Sequence, residues 1–209
     1  MNYANIKYLD TANGIGIRTS LFVSGCKNGC KGCFNAVAWP FDYGKRYDVS
    51  VQKEVLESIK KPHVQGLSIL GGDPFELENQ PDVLRLIEAF REEFKDTKDI
   101  WMWTGYLLDK DLAEGGRRYV SGITDKILAN INYLVDGPFM LDKKNLMLKY
   151  KGSSNQRVID VRKTLANGKI KLFVTDWIRH KFLYSVAYDS ISDSYRRYNI
   201  NIFFMSCTR

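Results

Sequence analysis

Apolar positions along the chain alternate between short unbroken runs and a period of about 3.6, the signals of buried strands and amphipathic helices. Residues 19–24 (TSLFVS) predict a strand. Residues 51–60 carry Val51, Val55 and Ile59 at helical spacing. Residues 66–70 (GLSIL) predict a second strand, ended by Gly71-Gly72. Over 81–94, Val83, Leu84, Leu86, Ile87, Phe90 and Phe94 make one face of a helix. Pro81 suits its first turn, and Asn79 is a candidate cap. Residues 99–104 (DIWMWT) predict a strand stopping at Gly105, 123–128 a helix, and 133–135 a strand stopping at Asp136-Gly137.

Strands alternating with helices are the pattern of parallel α/β units, so the expected fold class is α/β. In (β/α) barrels the chemistry sits at the carboxyl ends of the strands. The loops to inspect are therefore 25–35, 71–75, 104–106 and 136–139. After Gly152 the alternation breaks. GSSNQR (152–157) reads as a loop, and 157–161 and 169–173 read as strands either side of an Asn167-Gly168 turn. From Val174 the composition shifts to a 36-residue tail with eight aromatics, too apolar for a disordered segment and without an assigned function. The expected division is a domain over 1–173 and a tail over 174–209.

At 209 residues the chain has room for one domain and an appendage. No window approaches the ~20 apolar residues of a membrane span, and MNYANIKYLD lacks the apolar run of a signal peptide. The expectation is a soluble cytoplasmic protein. A net charge of +7 permits nucleic acid, but equally an acidic protein partner or a phosphorylated ligand. No block of consecutive basic residues favours nucleic acid, so neither a nucleic-acid nor a membrane partner is expected.

Three of the four cysteines fall within SGCKNGCKGCFN (24–35), spaced Cys26-x3-Cys30-x2-Cys33; the fourth is Cys207. Reduced thiols are the default in the cytoplasm, so a metal or redox role outranks disulfides. Gly25, Gly29 and Gly32 argue for an irregular loop that turns the sulfurs inward. Iron–sulfur clusters are held by such thiolates. Three cysteines on a four-iron cubane leave one iron open. Structural zinc would need a fourth ligand from His63, His180 or Cys207, none in a paired motif. A thiol–disulfide reading of Cys30-Lys31-Gly32-Cys33 leaves Cys26 without a role. Plain core cysteines do not fit a loop of glycines and lysines.

Gly71-Gly72-Asp73-Pro74 reads on its own as a strand-ending turn whose backbone a ligand can approach. Asn13-Gly-Ile-Gly-Ile-Arg18 is a weak dinucleotide fingerprint, since it precedes a strand and lacks a third glycine. Arg18 is a candidate carboxylate ligand, or a surface arginine on a plain turn. Trp101 and Trp103 read as core or sheet-face packing. Thr104 and Gly105, at the strand end, are candidates to line a pocket. His63 and His180 have no constellation around them.

The Cys-x3-Cys-x2-Cys loop followed by Phe34 resembles the signature of radical S-adenosylmethionine enzymes. NGIGIR (13–18), LFVSGC (21–26), GCFN (32–35), Trp39, QGLSILGGDP (65–74), DIWMWTGY (99–106), LVDGPF (134–139) and GSSNQR (152–157) occur in the order found in the glycyl-radical activases, and in particular the activating proteins of anaerobic ribonucleoside-triphosphate reductases. The resemblance covers about residues 1–173. It implies a partial, open (β/α) barrel of the radical S-adenosylmethionine type.

It also implies a 4Fe–4S cluster on Cys26, Cys30 and Cys33, whose open iron chelates S-adenosylmethionine. Gly32, Cys33, Phe34, Gly72 and Asp73 become the cofactor-binding residues, and no side chain acts as catalyst beyond cluster and cofactor. A flavodoxin-like donor supplies one electron, and the resulting radical takes hydrogen from a glycine of the reductase large chain. Within the superfamily, an activase for pyruvate formate-lyase is the alternative; outside it, a non-catalytic zinc module. Phe34 stands where a tyrosine is common, which removes a hydroxyl from that position. The tail from Val174 has no counterpart in the resemblance.

Overall fold

The computed structural model describes residues 1–173; His180 and Cys207 lie outside the described residues. In chain order the elements are β1 (Asn2–Asp10), β2 (Ile17–Val23), β3 (Lys45–Arg46), α1 (Val49–Ile59), β4 (Val64–Gly71), α2 (Gln80–Phe94), β5 (Asp99–Trp103), α3 (Thr124–Asn130), β6 (Tyr133–Asp136), β7 (Arg157–Asp160) and α4 (Val161–Asn167). They build one seven-stranded sheet in the order β3-β1-β2-β4-β5-β6-β7. β2, β4, β5 and β6 are mutually parallel. The flanking strands β1, β3 and β7 are antiparallel.

The α/β expectation therefore holds for the centre, while both margins depart from strict β/α alternation. β1 escaped the sequence pattern because its exposed residues, including Tyr8 and Leu9, blur the alternation. The described sheet is open, with β3 and β7 at its edges.

Alternation along the strands divides the sheet into two faces. Leu21, Leu67, Ile69, Ile100, Met102 and Leu134 join the main apolar core, with residues of α1, α2 and α3. Full burial of each such side chain contributes roughly 1.5–3 kcal/mol. The opposite face carries Arg18, Ser20 and Phe22 on β2, Ser68 and Leu70 on β4, Trp101 and Trp103 on β5, and Tyr133 on β6. Trp101 is fully buried there, its ring centroid 5.7 Å from Trp103 and 4.7 Å from Tyr133. The packing role expected of the two tryptophans holds for Trp101. Trp103 also borders the cavity described below.

Three sequence expectations are corrected. Asn79 does not cap α2 with its side chain; that amide instead donates to the Ser24 and Asp73 carbonyls, each at 2.9 Å. Asn167-Gly168 is not a hairpin turn. Residues 161–167 form α4, and Gly168 ends it in the left-handed region at φ 62°. The stretch 169–173 returns beside β7 through the Ile159–Leu172 bridge only. Asp160 caps α4 by accepting from Lys163 N at 3.0 Å, a start signal hidden behind the β-branched run before it.

Arg18 is the third correction, in that it is not on the surface and the carboxylate it binds is the chain's own Asp99. It is wholly buried, donating to Ser68 Oγ at 2.7 Å and to the Leu67 carbonyl at 2.8 Å, and paired with Asp99 at 2.5 Å. Ser68 Oγ in turn donates to the Asn13 carbonyl at 2.6 Å. Arg18 thus pins the 13–16 turn to the sheet, and its guanidinium is committed to protein partners. No described helix is long and apolar enough to cross a membrane.

Candidate functional site

The loops leaving β2, β4, β5 and β6 meet around one cavity of about 610 Å³. That size is in the range of small-molecule sites. The wall includes all three clustered cysteines, Phe34, Gly72 and Asp73. Gly32 is not on the wall; it is exposed, and the Cβ it lacks would meet Leu141 at 2.9 Å. Thr104 and Gly105 do line the cavity, as their place at a strand end implied. His63 is exposed and takes no part.

The cysteine loop is held by backbone bonds at its root. Gly25 N donates to the Ala38 carbonyl at 2.8 Å and Cys26 N to the Trp39 carbonyl at 3.0 Å. The loop after β4 is tied to it: Gly72 N donates to the Val23 carbonyl at 2.6 Å, and Asp73 N to the Gly25 carbonyl at 2.8 Å. Gly25 has φ 93°, and a Cβ there would fall 2.3 Å from the Phe41 ring. The chain can make this sharp exit from β2 only with glycine.

Buried polar side chains brace the loops from below. Asp73 is fully buried and accepts from Thr104 Oγ1 at 2.8 Å, Gly105 N at 2.8 Å, Phe75 N at 3.0 Å and Asn28 Nδ2 at 3.1 Å. Burial raises its carboxyl to about 7, while the Gly105, Phe75 and Thr104 donors pull the other way. Glu76, equally buried, accepts from Lys27 N at 2.7 Å and Tyr106 OH at 2.6 Å, and pairs with Arg118 at 3.2 Å. Neither Glu76 nor Arg118 was singled out from sequence. The available signal was a cluster of polar residues, DPFELENQ (73–80), directly after a buried strand.

A second brace comes from 152–157. Gln156 Oε1 accepts from Gly152 N at 2.9 Å, and its Nε2 donates to the Gly137 carbonyl at 3.0 Å. Asn155 Nδ2 donates to the Pro138 carbonyl at 2.8 Å. These bonds fix the loop that carries Phe139, whose ring meets Phe34 edge-on at 5.5 Å. Phe34 is exposed, and Lys144 Nζ lies 4.9 Å from its ring centre.

The donor set is soft, sulfur-only and gathered on one wall, which suits iron–sulfur ligation. Burial, with Asp73 adding repulsion, pushes the Cys26 thiol up to about 11; burial also raises Cys30. Ligation therefore requires these thiols to lose their protons to solvent as the thiolates bind metal. Among the described residues, no three Cys, His, Asp or Glu side chains converge on one ion position. A single zinc at about 2.3 Å from each sulfur requires that convergence. A cluster, which takes each cysteine on a different iron, does not.

Residues 12–159 match the family model described as a 4Fe-4S single cluster domain. The anaerobic ribonucleoside-triphosphate reductase-activating protein of Escherichia coli (strain K12) is 37% identical over 164 residues, which are 78% of this chain and 100% of the relative. The chain belongs to this family of activating proteins. The correspondingly named protein of Vibrio cholerae is 37% identical over 158 residues, 75% of this chain and 96% of its own. That of Enterobacteria phage T4 is 34% identical over 160 residues, 76% and 93%. Membership in the activating-protein family accords with the 4Fe–4S domain and with the order of segments along the chain. All three relatives bear the name of reductase-activating proteins.

Proposed function

We propose that this chain activates an anaerobic ribonucleoside-triphosphate reductase by generating a glycyl radical on its large chain, through reductive cleavage of S-adenosylmethionine at a 4Fe–4S cluster. The observation that carries the reading is the convergence of Cys26, Cys30 and Cys33 with the GGDP loop on one cavity. The chain also spans the whole of a curated relative with the activating-protein name. The open sheet, with four parallel strands whose carboxyl ends feed the cavity, is read as the partial (β/α) barrel of the radical S-adenosylmethionine class.

When bound, the cluster supplies the electron that opens the sulfonium bond of the cofactor. The chain's own residues hold and shield. Cys26, Cys30 and Cys33 would hold the cluster through their sulfurs. The backbone at Gly71-Gly72 is open to the cavity and offers carbonyls to the cofactor ammonium. Asp73 has both oxygens engaged by protein donors, so its role is to hold Thr104, Gly105 and Asn28 in place at the cavity wall. Phe34 and Phe139 form an apolar rim that limits water at the cluster side. An acidic, flavodoxin-like electron donor matches the net charge of +7.

The test is anaerobic incubation with the candidate reductase, S-adenosylmethionine and a reductant, followed by electron paramagnetic resonance. A glycyl-radical doublet on the reductase supports the proposal. Its absence with a protein of full iron and sulfide content refutes it. Cys30→Ala should abolish reductive cleavage; cleavage at the wild-type rate would remove the cluster assignment.

A further inference from the structure

Asn28 stands two residues after Cys26, and its amide nitrogen Nδ2 lies 3.6 Å from Cys26 Sγ and 3.1 Å from Asp73 Oδ2. The first distance is long for an oxygen acceptor but ordinary for the larger sulfur atom. An amide nitrogen carries two hydrogens, and here each has one acceptor. The same pair of acceptors fixes the orientation of the amide, because the carbonyl end would face a carboxylate and a sulfur. Asp73 is held in turn by Thr104, Gly105 and Phe75. Room for the amide comes from Gly105, where a Cβ would fall 2.5 Å from Asn28 Nδ2. The backbone at Gly105 is outside the left-handed region, so its lack of a side chain answers to space.

We infer that Asn28 donates a hydrogen bond to the cluster through Cys26, and that this amide, seated on Asp73 and given room by Gly105, raises the reduction potential of the cluster. The inference rests on the reading of Cys26 as a cluster ligand. One-electron reduction adds negative charge that spreads onto the ligand sulfurs. A donor aimed at a sulfur stabilises the reduced form more than the oxidised one. The N–H of Asn35, 3.4 Å from Cys33 Sγ, acts in the same sense. It is a main-chain group, common to any residue at that place. The Asn28 side chain is a donor that substitution can remove.

The experiment uses the full chain, reconstituted anaerobically. The cluster midpoint potential is measured by a redox titration followed by electron paramagnetic resonance, without S-adenosylmethionine. Iron and sulfide are assayed on the same samples. Asn28→Ala should shift the midpoint to a more negative value. Gly105→Ala keeps the residue 105 N–H to Asp73 but displaces the amide, and should shift it the same way. The double variant should match Asn28→Ala, since no amide remains to displace.

A wild-type protein that takes up no cluster refutes the proposed function before this inference is reached. A loaded wild type whose midpoint is unchanged in Asn28→Ala overturns the inference alone. If Asn28→Ala assembles no cluster, Gly105→Ala decides on the same measurement, because it changes no residue of the cysteine loop and only displaces the Asn28 amide. A further shift from Gly105→Ala in the Asn28→Ala background overturns the role given to Gly105.

Discussion

A Cβ placed on Gly72 would lie 2.5 Å from the carbonyl oxygen of Gly25, so the loop after β4 touches the cysteine loop backbone to backbone. The obstructing atom is main chain, and it cannot swing aside as a side chain would. Two hydrogen bonds seal the contact, from Gly72 N to Val23 and from Asp73 N to Gly25. Gly72→Ala must therefore part the two loops. The expected cost is about 1–3 kcal/mol of stability, as for other overpacked sites. The cleavage rate should fall roughly 100-fold, the scale of a small misplacement of reacting groups. Urea unfolding and anaerobic cofactor cleavage check both. A variant with wild-type cleavage would show that this contact does not set the cofactor's position.

Glu76 is the buried anchor of the cysteine loop. Its carboxylate takes the Lys27 N–H and the Tyr106 hydroxyl, and faces Arg118. Glu76→Ala leaves two donors, Lys27 N and the Tyr106 hydroxyl, without this acceptor and Arg118 without its carboxylate. The expected destabilisation is about 3 kcal/mol, the scale for breaking a buried charged network. Cluster content should fall with it, because Lys27 follows Cys26 directly. Comparing the urea midpoint and iron per chain tests the link. Lost stability with full iron content would show that the loop holds its shape without Glu76.

Periodicity located the four central parallel strands and α1 to α3 because these are buried on regular faces. The cysteine loop and the strand-end loops stood out because glycine, cysteine and aspartate do not belong in such faces. What sequence did not carry was long-range pairing. Arg18 read as a surface or ligand-binding arginine because nothing local reveals Asp99 and Ser68 beneath the same turn. Asn79 looked like a helix cap because it stands at the right place; its partners, Ser24 and Asp73, are fixed only by the fold. Nothing local marks Asn28 either, because its acceptor Asp73 lies 45 residues away on a different strand-end loop.

Arg157 joins β7 to the end of β6 and to the loop after β5. Its Nε donates to Asp136 Oδ1 at 2.8 Å, and its Nη groups reach Asp109 at 2.8 and 3.0 Å. Asp136 is fully buried, with Leu108 N as a further donor. Arg157→Ala strands that carboxylate and should cost about 3 kcal/mol. The hydrogen bond from Arg157 also holds the exposed Asp109 below the usual carboxylate range. A lowered value means that this contribution is present above about pH 4 and disappears as pH falls through the folded-state value. The acid limb of the stability curve should thus be shallower in Arg157→Ala than in wild type. Equal slopes would show that Asp109 gains nothing from the pair.

Thr104 offers a test of the buried support without a change of volume. Its hydroxyl lies 2.8 and 3.0 Å from the two Asp73 oxygens and accepts from Tyr106 N at 3.1 Å. Thr104→Val keeps the shape and removes both functions, leaving the Tyr106 N–H without that acceptor. The expected loss is about 1–3 kcal/mol, the penalty for orphaned buried polar groups. Thr104→Ser retains the hydroxyl and should recover most of it. Because the Gly105 and Asn28 bonds to Asp73 survive in both variants, cluster content should stay at the wild-type level. Urea midpoints that fail to separate valine from serine would show that the side chain contributes by packing, not by its hydrogen bonds.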